Sequence, residues 1–162
     1  MKVWSERAQE IAFLLNPAFC GRILYSTIKT YANNSHRALP FPLIYLVLPL
    51  VLHKSTREKI NSQTQLLVWI QKYPELLIDF PQRARDLVPI TNETLEFLLQ
   101  TGKIELTPNG EVDIVGSQKT LSKTKFLDSE VKDCLTKSEH IAKWFVNAGK
   151  AETIYVGLGV RP

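Results

Sequence analysis

Three histidines and two cysteines are the side chains of this 162-residue chain best suited to metal binding or nucleophilic attack, and their spacing serves neither. His36, His53 and His140 are far apart, and none stands one helical turn from a second ligand type, as a zinc site on a helix requires. Cys20 and Cys134 form no Cys-x-x-Cys pair and lie on apolar helical faces with no histidine nearby, the setting of buried thiols. The stretch GLGV at 157–160 has the first two glycines of a dinucleotide fingerprint but not the third. Too little chain follows Gly159 to form the helix whose N-terminus would receive a phosphate. Glu10, Glu75 and Asp79 could act as paired carboxylates only if folding happened to bring them together. The sequence therefore predicts no catalytic residues, no metal and no cofactor, and an enzyme is the function class it supports least.

The cations suggest different chemistry. Arg83 and Arg85 sit close together in FPQRARDL, and Lys119, Lys123 and Lys125 punctuate the polar connector GSQKTLSKTK. All five are candidates for contact with a DNA backbone, where positive charge gives affinity without sequence readout. A solvated face is the alternative for the arginines, and a soluble loop for the lysines. Net charge is +4 but unevenly spread. Residues 1–62 carry eight basic and three acidic side chains, 63–115 four and eight, and 116–162 eight and five, so the middle is acidic.

The elements that would position these residues are mostly helical. Apolar spacing predicts a helix over 4–15 with Ser5 as cap, and Asn16-Pro17 opens a second helix reaching about Tyr31, followed by a loop over 32–38. The uncharged run LPFPLIYLVLPLVL at 39–52 is too short for a membrane span, which needs about 20 apolar residues. It reads as a core helix starting near Pro42 and bent near Pro49. Ser55 with Glu58 fits a capping box for a short helix. Helix is expected over 65–73 and 75–80, over 80–87 behind Pro81, and again from a Thr91 cap to Gly102, burying Leu95, Leu98 and Leu99. KIELT and EVDIV around Pro108-Asn109-Gly110 predict a β-hairpin. Beyond the connector, two helices are expected over 128–136 and 138–147, with Gly149 as the stop, while 153–156 fits strand or helix equally.

Helix, tight turn, helix and hairpin in that order is the winged helix-turn-helix pattern, with the hairpin as wing. Its reading surfaces are wrong for DNA: Glu93 and Glu96 lie on the second helix, and Glu105, Glu111 and Asp113 oppose a lone Lys103 on the wing. Carboxylates there repel phosphate, so the module is expected to bind protein rather than read bases. The fold expected is mainly α, in three parts that form one compact unit: a helical N-terminal half at 1–62, a winged helix-turn-helix at 63–115, and the basic connector, C-terminal helix and tail at 116–162. The charged N-terminus lacks the apolar core of a secretory signal, and two isolated cysteines fit a reducing compartment, so a cytoplasmic protein is expected.

Four blocks of sequence resemble a known family: NPAFCGRILYSTIKTY, ALPFPLIYLVLPLVLHKSTREKI, PQRARDLVPITNETLEFLLQTGKIEL and KWFVNAGKAETIYVGLGVRP. Together they are similar to the middle component of bacterial three-component ABC systems, best known from Lamassu-type antiphage defence. The resemblance implies a small non-enzymatic accessory subunit that joins an SMC-like ABC ATPase to an effector, often a nuclease. ATP and Mg would then be bound by the partner ATPase, and double-stranded DNA would be sensed through the complex. Arg57 in HKSTRE and Arg161 in GVRP, charged residues within family-typical motifs, are the expected partner-interface residues, with intramolecular salt bridges as the alternative for both. A winged-helix transcriptional regulator is the competing function.

Overall fold

The computed structural model describes residues 15–116 and 128–161, so the expected helix at 4–15 and Lys119, Lys123 and Lys125 lie outside the described residues. Helix α1 spans Pro17–Ser35. Asn16 caps it, its side-chain oxygen accepting from the Ala18 N–H at 2.8 Å, and Pro17 occupies the first turn, where its missing N–H costs nothing. The helix runs a turn past Tyr31 because the polar residues there bond back along it. Asn34 donates to the Thr30 carbonyl at 2.7 Å and Ser35 to that of Tyr31 at 2.8 Å. It stops where His36 adopts a left-handed φ of 56°.

Strand β1, Leu39–Pro40, leads through a 3-10 turn at Phe41–Leu43 into α2, Ile44–Val51, in which every residue but Tyr45 is buried. α3 covers Lys54–Lys59, α4 Leu66–Lys72, and a second 3-10 turn Pro74–Leu77. α5, Phe80–Asp86, is separated from α6, Val88–Gln100, by Leu87 alone. Strands β2, Ile104–Leu106, and β3, Glu111–Ile114, form the hairpin, whose turn needs the positive φ of Gly110. α7, Ser129–Ala148, and α8, Ala151–Gly157, complete the described chain.

The fold is mainly α with a small antiparallel sheet, ordered β1-β3-β2. Leu39 pairs with Val112 and Ile104 with Ile114, which places Leu39, Val112 and Ile104 in the core. The Phe41 N–H extends the ladder to the Gly110 carbonyl at 3.0 Å. The hairpin thus takes its third strand from the N-terminal stretch, a strand too short and proline-flanked to be seen in the sequence. α2 is the centre of the core, packed by α1, α3, α5, α6 and α7, and the most extensive helix pair is α1 with α7.

Several expected boundaries move. α6 begins at Val88 with Pro89 in its first turn, so Thr91 lies inside the helix, buried, its hydroxyl bonded back to the Leu87 carbonyl at 2.9 Å. Leu99, expected in the core with Leu95 and Leu98, is 38% exposed. α3 begins one residue before Ser55, which removes the expected capping box; His53 takes the cap position instead. The two helices expected between 128 and 147 are one, α7, since Ser138 in its middle is buried and donates back to the Leu135 carbonyl at 2.6 Å. Residues 151–157 are helical, which settles the choice left open for 153–156.

Candidate interaction surfaces

α2 ends against two arginines. Pro49 and Val51 lie in its last turn, where carbonyls have no partner within the helix. Arg83 from α5 donates through Nε to the Pro49 carbonyl at 3.1 Å, and Arg57 from α3 through Nη1 to the Val51 carbonyl at 2.9 Å. A cation at a helix C-terminus also opposes the negative end of its dipole.

Arg57 is 4% exposed and fully engaged inside the chain. Its Nη2 donates to Glu130 at 2.7 Å and its Nε to Asp133 at 3.1 Å, both on α7. The side chain locks α2, α3 and α7 together, which is the intramolecular alternative named above. Arg161 is in the opposite position. α8 ends in a Schellman turn, with the Val160 N–H bonded to the Tyr155 carbonyl at 3.0 Å and that of Gly159 to Val156 at 3.1 Å, Gly159 supplying a φ of 71°. Val160 returns to the core, and Arg161 is left exposed. Of the two arginines expected at a partner surface, Arg57 is buried and Arg161 is exposed.

Arg83 and Arg85 likewise part company, since two residues along a helix reverse direction. Arg83 faces inward, donating also to the Thr56 hydroxyl at 3.2 Å and lying over the Phe80 ring at 5.3 Å. Arg85 is exposed and bonded to Gln82 at 2.9 Å. The Thr56 hydroxyl that accepts from Arg83 also lies 2.8 Å from His53 Nδ1, which joins the imidazole to the same cluster. Burial, then Arg83, then Arg57 hold the His53 pKa below its ordinary value, against a weaker pull from Asp79.

Neither thiol is activated. Burial pushes Cys20 up to about 12 and Cys134 up to about 11. Among the described residues, no group of three or more His, Cys, Asp and Glu side chains is placed to hold a metal ion, and no helix is long and apolar enough to cross a membrane.

The exposed side of α6 carries Asn92, Glu96 and Gln100, the last two bonded at 3.1 Å. On the hairpin, Glu105 and Asp113 stand directly opposite each other in register, a like-charge pair that disfavours approach of a phosphate. No curated protein and no solved structure matches the chain. The family model for the ABC-three component (ABC-3C) system Middle Component 3 matches residues 4–162, so the chain belongs to that family.

Proposed function

We propose that this protein is a non-enzymatic accessory subunit that bridges an SMC-like ABC ATPase and an effector subunit, a nuclease, in a Lamassu-type antiphage defence complex of the cytoplasm. The observation that carries this reading is the family match over nearly the whole chain, since a middle component works alongside partner proteins. ATP and Mg belong to the partner ATPase. In this reading α5, α6 and the hairpin, with β1 as third strand, form a winged helix-turn-helix turned to protein contact. Its acidic outer side supports partner binding over base reading. Arg161 is the proposed partner contact, and Arg57 supports the assembly from beneath by holding α7 in place. Any help with double-stranded DNA would come from Arg85 and from Lys119, Lys123 and Lys125, without sequence preference.

The test is co-expression of the tagged protein with the other components of its own operon, followed by affinity capture and mass spectrometry. Recovery of an SMC-like ATPase in fixed stoichiometry, reduced by Arg161→Glu without loss of folding, is the expected result. A protein that comes down alone and shifts a short duplex by itself would overturn the reading in favour of a winged-helix regulator.

A further inference from the structure

Helices α3 and α4 end on lysines, Lys59 and Lys72, and both side chains turn to one aromatic ring. Tyr73 follows α4 at its cap position, and its ring centroid lies 5.7 Å from Lys59 Nζ and 5.4 Å from Lys72 Nζ. The two ammoniums are therefore no further apart than those distances together allow. Both lysines are exposed and the ring is half-buried, so the three side chains share one piece of surface. Lys137 of α7 brings a third ammonium to the end of α3, bonded to the carbonyl of Ile60, the residue after Lys59.

Among the described residues none of these three lysines makes an ion pair. Carboxylates that flank the region are engaged elsewhere, Glu58 with Lys54 at 3.9 Å and Glu130 and Asp133 with Arg57. The sequence from Lys59 to Pro74 contains no Asp or Glu. A tyrosine face attracts an ammonium by about 0.5–1 kcal/mol at an exposed site, which seats a lysine but leaves its charge intact. Like charges held this close repel, and an anion arriving from outside the chain relieves that repulsion.

The residue types distinguish among anions. A defined carboxylate on a partner protein is best met by the bidentate fork of an arginine, and Arg57 and Arg83 spend their guanidinium groups on the end of α2. Lysine ammoniums and a tyrosine hydroxyl are point donors without a preferred partner plane, and such groups contact phosphates without reading sequence. Duplex DNA presents a charge about every 1.7 Å along its axis, so flexible point charges meet a phosphate in any register. With ammoniums over it the Tyr73 ring is not an open platform for a splayed base, which favours a duplex over a single strand.

We propose that Lys59, Lys72 and Tyr73, with Lys137 beside them, form a contact surface for the phosphate backbone of duplex DNA. The surface is additional to Arg85 and the connector lysines, and it does not depend on the bridging role argued above.

Fluorescence anisotropy of a short labelled duplex with the full-length chain tests this across a salt series. The expected dissociation constant is between about 1 and 100 µM at 0.1 M salt, the same for unrelated sequences and weaker for a single strand. Lys59→Gln combined with Lys72→Gln should weaken binding about tenfold and reduce the slope of log K against log salt by about 2, while the paired change of both lysines to Arg should preserve affinity and slope. No binding up to about 200 µM protein at 50 mM salt overturns the proposal. Binding that survives the double glutamine variant with its slope unchanged overturns it and places the DNA on other cations, and tighter binding of a single strand overturns the choice of duplex. If the double variant instead leaves DNA binding alone and lowers recovery of the ATPase on co-expression, the surface belongs to an acidic partner protein and the proposal fails. Lost DNA binding with ATPase recovery intact supports it and leaves the bridging role untouched. Unchanged circular dichroism and melting of each variant show that binding and not folding has moved.

Discussion

Trp69 and Trp144 stand 5.2 Å apart between ring centroids, and their indole N–H groups donate to carbonyls at the two ends of one loop, Lys59 at 2.9 Å and Thr64 at 2.6 Å. Lys137 adds a third bond from α7 to the Ile60 carbonyl. The segment between α3 and α4 has little regular structure of its own, so these side chains replace the hydrogen bonds a helix would have provided.

Each indole should therefore matter beyond its apolar bulk. Trp144→Phe keeps most of the packing but strands the Thr64 carbonyl, and a loss of about 1 kcal/mol is expected in urea unfolding. Trp144→Ala, which also opens a cavity, should cost about 3–5 kcal/mol. Equal losses for the two variants would show that the hydrogen bond contributes nothing.

Removing Arg57 should destabilise through the Val51 carbonyl more than through its carboxylates. Glu130 and Asp133 have side chains 61% and 41% exposed and can return to water, whereas the carbonyl at the end of α2 cannot. Arg57→Ala is expected to cost about 2 kcal/mol, and Arg57→Lys to recover little, because an ammonium cannot reach three acceptors in the guanidinium plane. Denaturant midpoints of the two variants check this, and full rescue by lysine would count against it.

Stability should depend on pH through His53. Its folded-state pKa lies below 6.5, so as pH falls the unfolded chain takes up the proton first. The contribution is fully present above pH 6.5 and declines as pH drops through the window below it. His140 shifts in the same direction through burial and then Lys137 and Lys143, so the comparison must be with His53→Gln. The melting temperature of that variant should fall less between pH 7.5 and 5.5 than that of the parent, and identical falls would exclude a role for His53.

The thiols should be silent in the native protein. With Cys20 0% and Cys134 2% exposed and both held protonated by burial, reaction with a disulfide reagent at pH 8 should wait for unfolding. Stopped-flow labelling would show rates tracking global opening, and rapid labelling of either residue would contradict the burial.

The terminal glycine has a conformational rather than steric role. A β-carbon at Gly159 would meet nothing within 4 Å, yet its φ of 71° disfavours any other residue. Gly159→Ala should cost about 1 kcal/mol, with Gly159→Asn costing less. A neutral alanine would show that the Schellman turn is dispensable.

What was legible in the sequence were the features whose signals are local. Asn16-Pro17 caps and opens a helix with no help from elsewhere, and Pro108-Asn109-Gly110 makes a turn whatever surrounds it. The apolar run at 39–52 announced a core element by composition alone. β1 was not legible, because Leu39 and Pro40 exist as a strand only through partners 73 and 71 positions away, at Val112 and Glu111. The fate of the arginines was equally hidden. Nothing near Arg57 in sequence points to Glu130 and Asp133, and Arg83 and Arg85 look alike until the orientation of α5 turns one of them inward. Thr91 misled because the residue types that cap helices also bond back along them, and only the start of α6 distinguishes the two uses.

The arginine-capped end of α2 sets an order of events during synthesis. Pro49 waits for a donor 34 residues further along, and the carboxylates that neutralise Arg57 follow it by 73 and 76 residues. A nascent chain that has just released α2 from the ribosome therefore displays its most apolar segment with neither the polar lid nor the surrounding helices yet made. Ribosome-stalled or truncated products ending before α7 should be clients of chaperones and proteases, and only the nearly finished polypeptide should be able to close over its own centre.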